Sequence, residues 1–144
     1  MDFAASISTA EPEQAPRAVP TEGLVIEHHR TRAAEVSFAV PSGGHLLHLA
    51  IATCVFNDLH AAAHARGITL GRVQVRADGG FDEALTRSTG VELDIEAEGT
   101  GHLDELGALV QGVVENAVIV RIVRASAEVR LRSLELRSTP PGPV

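Results

Sequence analysis

Hydrophobic and polar positions change period several times along this chain, and each change predicts an element. From residue 43 to 66, GGHLLHLAIATCVFNDLHAAAHAR, apolar side chains fall on nearly every side of a helix. A helix apolar almost all round is a buried one, so a domain or a second subunit must cover it. At about 22 residues it has the length of a membrane span. Asn57, Asp58 and four histidines within it argue against that reading.

Upstream the period is two. Leu24, Ile26 and His28 alternate with Val25, Glu27 and His29, and Val36, Phe38 and Val40 alternate with Ser37 and Ala39. A hairpin over 23–40 follows, joined by the polar run Arg30-Thr31-Arg32-Ala33. Pro41-Ser42-Gly43-Gly44 leads into the helix, and Arg66-Gly67 closes it.

Downstream, Val73, Val75 and Ala77 alternate with Arg72, Gln74 and Arg76 in a strand that Asp78-Gly79-Gly80 is expected to end. Residues 81–90 read as a polar loop. Val91, Leu93, Ile95 and Ala97 alternate with Glu92, Asp94, Glu96 and Glu98 in a strand with a solvated acidic face, which would pair with the basic face of 72–76. Leu103, Leu106, Leu109, Val110, Val113 and Val114 form the stripe of a second helix over 103–115. Residues 118–123 suit helix or strand equally, and 127–136 read as a last strand. Strands in hairpins rather than βαβ units predict an α+β domain with a mainly antiparallel sheet, over 22–137. Residues 1–21, with three prolines, read as a disordered or loosely docked arm, and 138–144 as a Pro-rich tail.

Composition narrows the class. The 144 residues are 44% apolar, enough for one domain with a core, and the 3% aromatic content makes that core aliphatic. A net charge of −7 argues against nucleic acid or an anionic membrane as partner. One cysteine makes no internal disulfide, and no signal peptide is evident, so a soluble cytoplasmic protein is expected. No HxH, HExxH, CxxC, GxGxxG, P-loop or GxSxG motif occurs, so neither a metal nor a cofactor is expected.

The candidate chemistry lies on the long helix. At about 100° per residue, Cys54 shares a face with Leu47, Ala50, Asp58 and Ala61, and Thr53, Asn57, His60 and His64 form a polar stripe beside it. The thiol is expected to point into packed structure, either as an inert small hydrophobe or as an activated nucleophile. His45 and His48, three residues apart, stand in the first turns. His60 and His64 read as a solvated or subunit-facing pair.

This order of elements, with GGHLLHLAIATC over 43–54, RGITLGRVQV over 66–75 and GVELDIEAEG over 90–99, resembles the OsmC/Ohr family of osmotically induced and organic-hydroperoxide-resistance proteins. The resemblance spans about residues 23–136. It implies an intertwined homodimer whose two central helices are wrapped by sheets from both chains. It also implies a peroxidatic cysteine that attacks a peroxide O–O bond, a second cysteine that resolves the sulfenic acid, and an arginine and a glutamate that hold the thiolate. Cys54 falls at the first cysteine position. Asn116 stands at the second, followed by Ala117 where proline is usual. The glutamate position is Gly44, next to His45, and Arg30 and Arg32 lie in the region of the arginine. The family fold would gather His28, His29, His45 and His48 near the cysteine pocket.

Cys54 and His45 are therefore the candidate catalytic residues, and His28, His29, Arg30, His48 and Asn116 the candidate pocket residues. Three readings stay open. Cys54 reduces an organic hydroperoxide with an external thiol as reductant. A divergent enzyme of a biosynthetic pathway uses pocket histidines as acid–base groups. A pocket binds a small hydrophobic molecule without catalysis. The expected partners are a second copy of the chain, a small hydrophobic molecule and an external thiol.

Overall fold

The computed structural model describes residues 3–10, 24–39 and 42–142. The elements are β1 (Ala5–Thr9), β2 (Leu24–His28), β3 (Arg32–Phe38), α1 (Gly43–Ala65), β4 (Leu70–Phe81), β5 (Ser88–Thr100), α2 (Leu103–Asn116), α3 (Val118–Arg124) and β6 (Val129–Thr139). The strands make one six-stranded sheet in the order β2-β3-β1-β4-β5-β6. Every neighbouring pair is antiparallel except β5 and β6, which run parallel across the α2–α3 connection. The α+β class and the mainly antiparallel sheet stand.

Helix α1 starts and stops where its caps dictate. Ser42 Oγ accepts the backbone N–H of His45, three residues on. At the far end Gly67 takes φ +68°, its N–H donates to the carbonyl of His64, and Ile68 N–H donates to that of Ala63. Those two bonds make a Schellman motif, which satisfies carbonyls the helix leaves open. One stripe of α1, with Ile51, Ala52, Val55, Phe56, Leu59 and Ala63, is buried. It packs in one core with Ile7 of β1, Val73, Val75 and Ala77 of β4, and Val91, Leu93 and Ile95 of β5. Helices α2 and α3 also pack on α1, through Val110, Val113, Val114 and Val120.

Some expectations are corrected, and one left open between helix and strand is resolved. The arm expected over 1–21 contains β1, which lies in the middle of the sheet, bonded to β3 on one side and β4 on the other. Ala5 and Ile7 face the core while Ser6 and Ser8 do not, so a short alternation of small residues suffices when both neighbours are supplied. Residues 11–21 lie outside the described residues.

Asp78-Gly79-Gly80 does not turn, because β4 runs through it to Phe81. A Cβ at Gly79 would stand 2.4 Å from the Gly90 carbonyl oxygen and 2.7 Å from His48 Nε2, so the glycine serves close approach, not chain reversal.

Residues 118–123 are helical, and the break at Ala117 bends α3 by 55° from α2. Arg124 ties this corner together by donating to the carbonyls of Glu115 and Val129.

The tail begins later than 138, since β6 extends to Thr139. The acidic face of β5 is also matched chiefly from β6. Arg130 bonds Glu92 at 2.9 Å, Arg132 grips Asp94 through two nitrogens, and Arg137 meets Glu98 at 3.2 Å. The hydrogen bond from Arg132 holds the Asp94 carboxyl below its usual range, with Ser133 helping against partial burial.

Candidate functional site

Cys54 lies roughly opposite the buried stripe of α1, so its thiol is half-buried at the edge of the core rather than inside it. Leu47, on the same face, is 37% exposed, and Leu46 beside it is 45% exposed. Among the described residues no hydrogen bond reaches the thiol, and no other cysteine exists to pair with it.

The predicted histidines separate into two groups. At the start of α1, the Ser42 hydroxyl and His45 Nδ1 are 2.6 Å apart. Because Ser42 Oγ already accepts the His45 amide, its O–H is free to donate to Nδ1. His45 thus takes the place a glutamate or glutamine holds in a capping box.

His48 Nδ1 donates to the Gly44 carbonyl at 2.7 Å. Its Nε2 is buried beside Gly79 and has no hydrogen-bond partner among the described residues. Phe3 stacks near both rings, 5.2 Å from His45 and 6.5 Å from His48, and Phe81 closes the cluster 4.9 Å from Phe3. His45 is 4% exposed and His48 0%.

The second group forms where the β2–β3 turn meets the later turns of α1. His28 Nε2 donates to Asn57 Oδ1 at 2.7 Å, and its Nδ1 accepts the Arg30 amide at 3.1 Å. These two bonds fix the Nε2–H tautomer. Burial lowers the His28 pKa, the Asn57 bond opposes that, and the charges of His29 and Arg30 lower it further. His29 lies 4.7 Å from His28, ring to ring, and Phe56 stands between His28 and His60 at 5.2 and 4.8 Å. His60 is pushed down to about 4, first by burial and then by the charges of His28 and Arg30.

The structure therefore brings His28, His29 and Arg30 together with His60, and His45 with His48, but joins neither set to Cys54 by a contact. At 1.5 Å per residue, His45 lies about 13 Å along the helix axis from Cys54, and His48 and His60 about 9 Å. Asn116, the last residue of α2, donates from Nδ2 to the Gly112 carbonyl at 2.7 Å. It lines a groove of about 440 Å³ between α2 and the Asp58–Arg66 part of α1. Among the described residues, no three of His, Cys, Asp and Glu stand close enough together to hold a metal ion.

The profile of the OsmC-like protein family matches residues 39–132, well over half the chain. The chain belongs to the OsmC-like family. Solved structures share its fold. An OsmC-like protein from Mycoplasma pneumoniae matches with a TM-score of 0.58 at 11% identity, over 83% of this chain and 99% of its own. A hypothetical protein from Aquifex aeolicus matches at 0.56 and 14%, over 87% and 95%. An organic hydroperoxide resistance protein OsmC from Legionella pneumophila, described as a predicted redox protein, matches at 0.52 and 16%, over 83% and 98%. At these identities the likeness is one of fold. No curated protein matches the chain at a significant level.

Within this OsmC-like fold, His60 and His64, which the sequence reading left as a solvated or subunit-facing pair outside the candidate site, line a cleft with His29 and Arg30. The available signal was the i, i+4 spacing on a helix preceded by a hairpin turn that is itself basic.

Proposed function

We propose that this OsmC-like chain works as a homodimer in the reducing cytoplasm and that Cys54 reduces a small hydrophobic organic hydroperoxide at the interface. The observation that supports this reading is the place of the thiol. It is half-buried and unpaired, on the face of α1 whose Leu46 and Leu47 the chain itself leaves uncovered. A second copy laid on that face encloses the thiol in an apolar setting, which suits an apolar peroxide.

The Cys54 thiolate attacks one oxygen of the O–O bond. That bond breaks, the alkoxide leaves and takes a proton as the alcohol, and Cys54 becomes a sulfenic acid. With Asn116 in place of a second cysteine, an external thiol condenses with the sulfenic acid and releases water. A second external thiol then displaces the mixed disulfide and restores Cys54.

The test is intact-mass detection and turnover with cumene hydroperoxide and a small dithiol. The reading expects one added oxygen on the protein without reductant, catalytic alcohol formation with it, and loss of both in Cys54→Ser. Turnover unchanged in Cys54→Ser overturns it, and loss in His45→Gln instead moves the chemistry to the Ser42–His45 pair. Sedimentation of a monomer at micromolar concentration overturns the dimer.

A further inference from the structure

A cleft of about 370 Å³ opens between the β2–β3 turn, the last turns of α1 and the start of β4. His29, Arg30, His60 and His64 line it on one side, and Ala63, Ile68 and Leu70 on the other. Among the described residues no carboxylate lines it, although acidic residues outnumber basic ones 19 to 12 in the chain. Arg76, Arg87, Arg130, Arg132 and Arg137 all meet carboxylates. Among the described residues Arg30 meets none, nor do Arg32, Arg66, Arg72, Arg121 and Arg124, but of these six only Arg30 lines the cleft. Nε2 of His60 is enclosed and has no hydrogen-bond partner.

The geometry points to a binding site for a small organic carboxylate with a short aliphatic body. The Arg30 guanidinium receives the carboxylate as a two-pronged donor, which its planar fork suits. His29 and His64 flank it on the same wall, His60 lies behind them, and the hydrocarbon lies along Ala63, Ile68 and Leu70. The volume is at the small end of ligand sites, which run from about 300 to 1,000 Å³. Inorganic phosphate shares the anion chemistry but has no use for the apolar wall.

The surroundings of His60 support an anion and couple its binding to a proton. His28, His29 and Arg30 face it from the β2–β3 turn, His64 and Asn57 come from its own helix, and β4 contributes only Leu70. Burial first, and then the charges of His28 and Arg30, hold the His60 pKa down. A carboxylate placed among them offsets both effects, so the complex takes up a proton that the free protein does not hold. Affinity therefore rises as pH falls.

The experiment titrates the full chain with hexanoate, and separately with inorganic phosphate, while following histidine Cε1–H resonances by NMR at pH 5.5 and 7.5. Saturable shifts centred on His60 are expected, with binding severalfold tighter at pH 5.5. Loss of a charged hydrogen bond should make Arg30→Gln weaker by about tenfold or more. Arg30 is exposed, so that variant keeps its fold, which an unchanged far-ultraviolet spectrum verifies. Absence of saturation at tens of millimolar, equal affinity in Arg30→Gln, or phosphate binding tighter than hexanoate each overturns the assignment. The readout is binding alone, so it stands apart from the thiol chemistry.

Discussion

At one end of α1, His45 and His48 are enclosed by Phe3 and Phe81, and a serine hydroxyl or a backbone carbonyl meets each ring at Nδ1. At the other end, His60 and His64 line a cleft with His29 and Arg30, and among the described residues no carboxylate lines it. The same side chain on the same helix is thus a shaped core piece in one place and an unmatched donor in the other. What separates them is access, since each end holds one buried ring nitrogen without a partner among the described residues but only His60 and His64 border a cleft. A count of histidines near a cysteine does not locate a site; their exposure to a cleft comes closer.

The enclosed end is the easier to damage. Gly79→Ala forces a methyl group against the Gly90 carbonyl and His48 Nε2, and overpacking of this kind costs about 2–3 kcal/mol. A urea titration should show the midpoint fall with an unchanged slope. A loss below ~0.5 kcal/mol would mean that the strand moves aside freely and that His48 is not held by the sheet.

At His48 itself, two substitutions pull apart. His48→Ala leaves a hole and should cost about 2–3 kcal/mol. His48→Leu keeps most of the volume and removes a buried, unpartnered nitrogen, so it should stay within about 1 kcal/mol of the parent. Equal destabilisation by both would show that Nε2 has a partner after all, such as an enclosed water.

The open end shows its character in acid. The folded-state pKa of His60, about 4, lies below its ordinary 6.5. Between those values the unfolded chain binds a proton that the folded one refuses, so stability is full above pH 6.5 and declines toward pH 4. Since His60 is only partly enclosed, the loss is on the order of 1 kcal/mol. His60→Leu should flatten this limb of the stability curve, measured by urea midpoints from pH 7 to pH 4. An unaltered limb would place the acid sensitivity elsewhere.

Much of the fold was legible because local signals agreed. Ser42 and Gly67 bound α1, and the strict alternation from Val91 to Ala97 is buried on one side as written. The failures came where partners are remote. Ala5-Ser6-Ile7-Ser8-Thr9 has little β-propensity of its own, and its pairing partners lie near residues 35 and 75. Gly79 looked like a turn because the imidazole that requires it comes from a helix 31 positions earlier in the chain.

The site was less legible than the fold. Cys54 could be placed by pattern, but apolar residues on nearly every side of α1 hid the fact that the helix turns the thiol away from the sheet. His60 and His64 acquire meaning only when the β2–β3 turn is brought over them.

The place of β1 sets the order in which the molecule can assemble. Without it the β2–β3 hairpin has no bonded neighbour, and β4, β5 and β6 form a separate unit, since no strand but β1 joins the two. Yet its bonds to β4 span 64 residues, from Thr9 to Val73, so closing that loop is entropically expensive and gains nothing until β4 already exists. Loop closure therefore favours an order in which the hairpin and the three-strand unit form first and β1 joins them last, which φ values on β1 would test. A chain caught before that step would carry two open edges on what becomes the middle of the sheet, the kind of surface that recruits another chain.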